Sequence, residues 1–478
     1  MINCIDNKIC TCDVVTTYRL KTNTSSVYCA SCFLRWVITI TVMLSAGRAM
    51  AAQENMQPHK QEHVLHKQMD EKRQRYKTEI LILEQRIQKL EKAADSDHRH
   101  KSEAVTRRHG GGEHQSTLKW SMSGIVVTGG SNVAADELLL LQGGTHDPRK
   151  NGFTLQTLAL AARVELGQYF DAMGSLVSVI EPDGESVVEL EQAFIQSTDL
   201  PNNFSARAGQ YFLDFGEENA RHPDDWDFVD VPFLITRFFG ADKLRSQGMQ
   251  LAWRPPLSWR STLLLGVSNP NGETVTSFLY QEGEEVAGHV LQARDIKGLN
   301  DMLYMFKWSN QLPIDNLRHI GFGASALFGP NATGNATDTQ IYGLNLEWTQ
   351  HVNGLSQQPR FSWQTELMFR RYEAGDSNDP THEHLRDYGI FSQAILRLGE
   401  KMTTGLRAES ADANLDNAND PLRDRRKRFS VNISHSVSKS VSLRLQYNHD
   451  RADHLSGGIA NSVWLQMVFK AGAHDKHM

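Results

Sequence analysis

The chain has 478 residues, 40% of them hydrophobic, and a formal net charge of −6 at pH 7. That charge lacks the basic surplus of nucleic-acid-binding domains, so no nucleic-acid partner is expected. No run of about 18 apolar residues occurs, so the sequence indicates no transmembrane helix. It does not exclude strands that cross a membrane, because such a strand needs only about 10 residues with one apolar face.

The first 51 residues predict an export signal. A charged residue and an apolar run occupy 35–46, and the small residues at 49–51 supply a cleavage site. This order is typical of a secretory signal, although a short buried strand or helix would also explain the apolar run. The stretch 1–33 is long for the region before such a run, so we expect the true start codon nearer Val27 or Leu34.

The cysteines support removal of this segment. All five lie within the first 32 residues, and the alternative that they form a metal site is open. Cleavage after Ala51 would leave a chain without cysteine. A protein that crosses an oxidising compartment unfolded avoids wrong disulfides in that way. The cysteines are Cys4, Cys10, Cys12, Cys29 and Cys32.

Residues 52–115 are polar and charged, and part of them has a heptad pattern. Arg73 breaks this pattern, and the triple glycine at 110–112 predicts a hinge after it. The pattern favours a short coiled coil, which needs a dimeric or trimeric protein to hold it together, and a solvated single helix or a disordered linker is the alternative. The apolar heptad positions are Met69, Tyr76, Ile80, Leu83, Ile87 and Leu90.

Histidines cluster in this segment and at the C-terminus. Helical spacing of histidines can bind zinc or copper. Since no cysteine or carboxylate partners stand at fixed offsets, we interpret them as a solvated polar face and expect no metal. They are His59, His63, His66, His98, His100, His109, His114, His474 and His477.

From about Lys119 onward, apolar and polar residues alternate. Each predicted strand therefore has one apolar and one wet face, as in membrane barrels, although a soluble β-sandwich alternates too. The same parity predicts that Tyr342, Trp348, Trp363 and Phe369 face lipid or its interface with water. In the clearest strand, the apolar Val441, Leu443, Leu445 and Tyr447 alternate with the polar Ser442, Arg444, Gln446 and Asn448.

The connections between strands favour a barrel over a sandwich. Links after odd-numbered strands are long, including 213–245 and 372–386, whereas most links after even-numbered strands are short. Long extracellular loops and short periplasmic turns alternate in this way in barrels. The sixteen predicted strands are 119–127, 154–167, 171–181, 189–198, 204–212, 246–254, 258–267, 300–309, 318–328, 339–350, 360–371, 387–398, 401–410, 427–436, 440–450 and 461–471.

The link after the fifth strand is dense in carboxylates. If it folds inward, it narrows the lumen, and carboxylates beside a pore favour cations. The alternative is an outward loop that packs on the barrel rim. The residues predicted at the constriction are Asp214, Glu217, Glu218, Arg221, Asp224, Asp225, Asp227 and Asp230. The lumen-facing arginines that would oppose a cation bias are Arg163, Arg207, Arg260, Arg370, Arg397, Arg407 and Arg444.

Five segments carry a resemblance to a known family. They are Phe153–Leu155, Glu189–Phe194, Ala208–Gly216, His222–Asp230 and Gly266–Glu273. They resemble porin-like outer-membrane proteins of Gram-negative bacteria, similar to the phosphate-selective porin O and P superfamily. The resemblance implies a barrel channel and leaves the solute open, since phosphate binding needs a convergent Lys/Arg cluster that the sequence alone does not establish.

These patterns predict an all-β fold, a transmembrane antiparallel β-barrel of about sixteen strands at 116–478. A signal sequence at 1–51 and the helical segment at 52–115 precede it. The function we expect is an outer-membrane porin for passive diffusion of small hydrophilic solutes or ions, set in outer-membrane lipid and compatible with a homotrimer. A structural envelope tether that uses the coiled coil, or an outer-membrane barrel enzyme, is the alternative. No nucleophile elbow or His-Glu-x-x-His motif occurs, so neither catalysis nor a cofactor is expected.

Overall fold

The computed structural model describes residues 117–473, apart from 287, 335, 353–357, 377–378 and 415–419. The predicted signal, the heptad segment and the nine histidines named above lie outside the described residues. Each of these therefore stays a prediction, as does the oligomer that the heptads favour.

Sixteen strands form one closed antiparallel barrel, in which the first strand pairs with the last. This confirms the predicted fold class. Two further strands, β8 and β9, form a separate hairpin in a loop. The strands are β1 (Leu118–Ser131), β2 (Gly152–Leu166), β3 (Phe170–Ile180), β4 (Ser186–Leu200), β5 (Phe204–Phe212), β6 (Arg245–Trp253), β7 (Arg260–Ser268), β8 (Glu285–Val286), β9 (His289–Val290), β10 (Leu303–Pro313), β11 (Arg318–Pro330), β12 (Asp338–Gln350), β13 (Phe361–Asp376), β14 (Asp379–Arg397), β15 (Met402–Ala413), β16 (Arg426–Ser436), β17 (Val441–Ala452) and β18 (Ile459–Gly472).

Two short helices lie in the connections, α1 (Ala135–Leu141) and α2 (Phe233–Phe239). Single turns of 3₁₀ helix lie at 201–203, 223–225, 299–301 and 421–423. None of the helices found between residues 117 and 473 is both long and apolar enough to span a bilayer.

The alternation of side chains decides which face of each strand meets lipid. On β17, Leu445 is 48% exposed whereas Gln446 is 1% exposed. Leu445 stands opposite Ile433 of β16 and Leu465 of β18, so apolar side chains form a continuous outer band. The polar set faces inward.

Aromatic side chains lie within or beside this band. Tyr342 and Phe369 stand opposite each other on β12 and β13 with ring centroids 6.4 Å apart. Trp348 and Trp363 are the corresponding pair near the other end of the same two strands. Such belts mark the interfaces between lipid and water.

The prediction of a link at 372–386 is wrong. Strand β13 continues to Asp376 and β14 begins at Asp379. Tyr372 and Leu385 stand opposite each other and are buried with Ala374. The many charged residues resemble a loop in the sequence, but a strand that extends past the hydrocarbon layer needs no apolar outer face.

The outer band generates the first prediction. Replacing Leu445 by Arg should block assembly, because an arginine facing lipid near the midplane costs about 2–4 kcal/mol. Leu443→Arg should act in the same way, while Ser442→Arg, on the inward parity, should be tolerated. The folded fraction after refolding into vesicles, read from heat-modifiable gel mobility, checks this. Equal yields for the two faces would contradict the lipid-facing assignment.

Candidate functional site

The connection between β5 and β6, residues 213–244, folds into the barrel, and we call it the inner loop. Asn219 closes its neck: its side-chain amide donates to the carbonyl oxygens of Leu213 and Leu244, each at 2.8 Å, and its side-chain oxygen accepts the Leu244 N–H. Because Asn219 is fully buried, these bonds have no competition from water.

The far part of the inner loop forms an apolar core inside the barrel. Helix α2 follows Pro232 and ends at Gly240, whose φ of 82° suits glycine. Five of its seven residues are buried, because the helix packs between the wall and the connection after β7 rather than at a surface. The wall contributes Leu264, Met305, Leu327, Ile341, Met368 and Phe391 to this core.

Two wall glycines provide space for this core. An added Cβ on Gly343 would lie 2.7 Å from the ring of Phe215. One on Gly389 would lie 2.3 Å from a methyl carbon of Leu234. Any larger side chain at these inward positions would displace the inner loop.

A polar cluster around Asp230 fixes the middle of the inner loop. Its carboxylate accepts hydrogen bonds from Arg428 at 3.0 Å, Gln446 at 3.0 Å and Asn448 at 2.9 Å. Arg407 donates to the same carboxylate and, at 2.9 Å, to the backbone carbonyl of Asp230. We call these five residues the Asp230 cluster.

Charge compensation keeps Asp230 ionised inside the protein. Burial acts to raise its pKa, but the guanidinium groups of Arg407 and Arg428 outweigh burial and lower the pKa to about 2. The neighbouring Asp147, on the link after β1, accepts the backbone N–H groups of Gly144 and Val231. Burial and the charge of Asp230 raise the pKa of Asp147 to about 7.

Backbone groups of the inner loop also bond to the wall. Glu366 of β13 accepts the N–H groups of Glu217 and Glu218, both at 3.0 Å. Glu409 of β15 accepts the N–H of Phe233 at 2.7 Å. Arg444 of β17 donates to the carbonyl oxygens of Phe228 and Trp226, at 2.8 and 2.7 Å.

The seven carboxylates predicted at the constriction all lie on or beside the inner loop, and each has a basic partner. Arg221, the eighth predicted residue, is the basic partner of two of these carboxylates. The ion pairs are Asp214–Arg207 at 3.6 Å, Glu217–Lys307 at 3.1 Å, Glu218–Arg221 at 3.1 Å, Asp224–Lys470 at 3.0 Å, Asp225–Lys470 at 2.8 Å, Asp227–Arg221 at 2.9 Å and Asp230–Arg428 at 3.0 Å.

A cavity of about 810 Å³ lies between the inner loop and the wall at the short-turn end of the barrel. Four of the seven arginines predicted to face the lumen line it, namely Arg163, Arg207, Arg260 and Arg397. Asp214, Glu217, Asp225 and Asp227 of the inner loop line it as well.

The other three predicted arginines do not line this cavity. Arg407 and Arg444 hold the inner loop, as described above. Arg370 pairs with Asp387 of β14 at 2.8 Å. Their inward orientation agrees with the sequence parity; the partners of Arg407 and Arg444 lie on the inner loop, whereas Asp387 stands directly opposite Arg370 on the neighbouring strand.

Sequence reasoning missed several residues that hold the inner loop or line the cavity. Arg428 shares inward parity with Ser430 and Asn432, so alternation along β16 contained the signal. Nothing in the sequence pattern marked Lys470 and Arg254 as functional, apart from their positions near strand ends. Among the described residues, no group of three or more His, Cys, Asp or Glu side chains is arranged to hold a metal ion.

The fold and the interior define the class of this protein. Within residues 117–473, each described segment that crosses the lipid is a strand of one closed sheet, which has an apolar outer band and a polar, loop-filled interior. This is a transmembrane β-barrel of the bacterial outer membrane.

Comparison with known proteins assigns no family. No protein-family model matches the chain. A protein of Aquifex aeolicus (strain VF5), described as uncharacterized, is 25% identical over 347 residues, which cover 69% of this chain and 70% of that protein.

Solved outer-membrane proteins are similar at low identity. They include the outer membrane channel DcaP of Acinetobacter baumannii, with 12% identity, a TM-score of 0.47 and coverage of 74% of this chain and 97% of that one. OmpT of Vibrio cholerae in its trimer form has 7% identity, a TM-score of 0.45 and coverage of 74% and 99%. OprB of Pseudomonas putida has 10% identity, a TM-score of 0.44 and coverage of 74% and 94%.

The Asp230 cluster generates the second prediction. Asp230→Asn should release the inner loop, because removing one partner of a buried ion pair costs about 3–5 kcal/mol. Amide hydrogen exchange of residues 226–239 should accelerate while that of the strands stays slow. Asp453→Asn, which breaks the exposed 3.2 Å pair with Arg425, is the matched control and should change nothing measurable. Unchanged exchange in Asp230→Asn would contradict the anchoring role.

The wall glycines generate the third prediction. Gly343→Val should displace Phe215 and weaken the packing of the inner loop by about 1–3 kcal/mol. Limited proteolysis within 213–244 should become faster, and adding Phe215→Ala should restore part of the resistance. Gly174→Val is the control, since a Cβ there has no neighbour closer than 3.9 Å. Equal sensitivity of both valine variants would show that Gly343 does not receive the loop.

Proposed function

We propose that this protein is a porin-like channel of the outer membrane that lets small hydrophilic solutes or ions diffuse through the barrel beside the inner loop. One observation carries the proposal: a charged cavity of about 810 Å³ lies inside a closed sixteen-strand barrel, against the inner loop. A barrel of this strand number has room for an aqueous channel unless its interior is filled.

The inner loop is the proposed constriction. The apolar core around α2 occupies the interior near the long loops. Solutes would therefore pass between the inner loop and the wall that contains Arg163, Arg207 and Arg397. This geometry supports a narrow channel, with a conductance below that of an open barrel of the same strand number.

The charge balance supports weak ion selectivity. Asp214, Glu217, Asp225 and Asp227 line the cavity, but each has a basic partner, and Arg254 and Arg260 line it without an ion pair to a described side chain. The basic groups that lie within ion-pair distance of these carboxylates therefore oppose the cation preference that the carboxylates alone would give. Low-dielectric walls strengthen either contribution, and salt screens both.

Planar-bilayer recording of the purified full chain tests this function. We expect discrete conductance steps and a small reversal potential in a salt gradient. Replacing Asp224, Asp225 and Asp227 by Asn should shift the reversal potential toward anion preference, because Lys470 and Arg221 then lose their partners.

A triple variant on exposed loops is the control. Asp183→Asn, Glu282→Gln and Glu284→Gln remove the same charge from exposed positions and should leave the reversal potential unchanged. Absence of any conductance from correctly folded protein would overturn the channel. Conductance with an unchanged reversal potential in the triple inner-loop variant would instead overturn the constriction.

A further inference from the structure

The outer surface of the barrel has a basic strip at the long-loop end of β13 to β17. Four basic side chains take the outward parity of these strands, in line with lipid-facing neighbours. They are Arg371, Arg386, Lys427 and Arg451, and we call them the outer basic strip.

These side chains form two pairs of like charge. Arg371 stands directly opposite Arg386, and Lys427 stands directly opposite Arg451. Like charges facing each other across two strands are destabilising, since their Cβ atoms are about 5 Å apart. Each pair spans two neighbouring strands, with β15 between the two pairs, and an anion between the members of a pair would relieve their repulsion.

Acidic side chains of the chain offset only part of this charge. Glu373 lies 3.3 Å from Arg371, and Asp412 faces outward on β15, where its carboxylate accepts the N–H of Ala413. No described carboxylate forms an ion pair with Arg386, Lys427 or Arg451. Next to the strip on the same face, Asp453 pairs with Arg425 at 3.2 Å. The described carboxylates of this face thus leave an excess of basic groups, and neither Lys427 nor Arg451 forms an ion pair with any of them.

The position along the strands sets the depth of the strip. Phe369, Tyr388 and Phe429 each lie two residues nearer the barrel middle than Arg371, Arg386 and Lys427. Aromatic girdles mark the interface, and two strand residues span about 7 Å. The basic groups thus lie at the level of the lipid head groups, just outside the aromatic girdle.

The strip occupies one side of the barrel. On the other strands, most outward residues at the long-loop end are neutral; the exceptions are Asp338 of β12, which is acidic, and Arg245 of β6, which is buried against Phe212. The neutral residues include Thr128, Phe153, Ile180, Gln247, Val267, Tyr304, Phe328 and Gln340. A requirement for solubility alone would not confine the basic residues to one face.

We propose that the outer basic strip binds the phosphate groups of a phosphorylated lipid in the outer leaflet. Guanidinium and ammonium groups donate charge-assisted hydrogen bonds to phosphate, and one head group between Lys427 and Arg451 relieves their repulsion. The apolar band directly below, with Leu406, Ile433 and Leu445, fits the acyl chains of the same lipid. A free phosphate ion would lack this second contact. The inference does not depend on conduction.

Native mass spectrometry of the folded full chain in detergent tests the proposal. The probes are phosphatidic acid, which carries a phosphomonoester, and phosphatidylcholine, whose phosphate is neutralised by choline. We expect the protein to retain phosphatidic acid in preference. The double variant Lys427→Gln and Arg451→Gln should lose about tenfold in affinity for phosphatidic acid, equivalent to about 1.4 kcal/mol.

Lys401→Gln with Lys439→Gln is the matched control, since both lysines are exposed at the short-turn end. It should retain phosphatidic acid as the unmodified protein does. Equal losses in the two double variants, or equal retention of both lipids by the unmodified protein, would overturn the proposal. Competition by millimolar inorganic phosphate would also overturn it, because the site would then bind the free ion.

Two further measurements guard against misfolding. Single-channel conductance of the Lys427→Gln and Arg451→Gln variant should be unchanged, as neither residue touches the interior. If that variant fails to fold, Arg386→Gln alone and the salt dependence of the unmodified protein replace it. Retention should fall as salt is raised, since the Debye length shortens to about 3 Å at 1 M. If neither the Arg386→Gln substitution nor added salt lowers the retention of phosphatidic acid, the result would contradict an ionic site.

Discussion

Lipid cannot satisfy backbone hydrogen bonds, and the rest of this structure follows from that constraint. The first strand therefore pairs with the last, from Ser121 opposite Gly472 to Ser131 opposite Ser462. Closure at sixteen strands then creates a second problem. The interior of such a barrel is wider than side chains from its wall can fill, so the interior must hold either water or a folded segment.

The chain uses both solutions in different parts of the interior. Helix α2 and its neighbours fill the end near the long loops with apolar side chains. Near the short turns, the interior is a charged cavity. The inner loop separates the two environments, so its carboxylates lie where a solute would pass from one to the other. The packing of the inner loop therefore determines where its carboxylates lie, and the proposed ion selectivity depends on that position.

Alternation along the chain was sufficient to predict the strands. A barrel strand in lipid has only one apolar face, and β17 shows this in Leu443, Leu445 and Tyr447. The same rule failed at 372–386, where β13 and β14 extend past the apolar band, so that their outward residues are charged while Tyr372, Ala374 and Leu385 face inward. The carboxylate density of 214–230 indicated a special segment. However, the partner of Asp230 on β16, about 200 residues away, depends on barrel register, which alternation does not reveal.

The buried charges of the interior specify position more than they add stability. A buried ion pair recovers little more than its desolvation cost, and replacing it by apolar residues is often neutral. The carboxylate of Asp230, however, accepts hydrogen bonds from side chains on three strands, β15, β16 and β17. Apolar packing alone would let the inner loop slide along the wall, because it has no preferred direction. The directional hydrogen bonds fix the position of the inner loop along the wall. The space beside Gly343 and Gly389 fixes two of its side chains, Phe215 and Leu234. A channel with a fixed constriction requires this restraint, since its selectivity depends on where a few charges lie relative to the solute path.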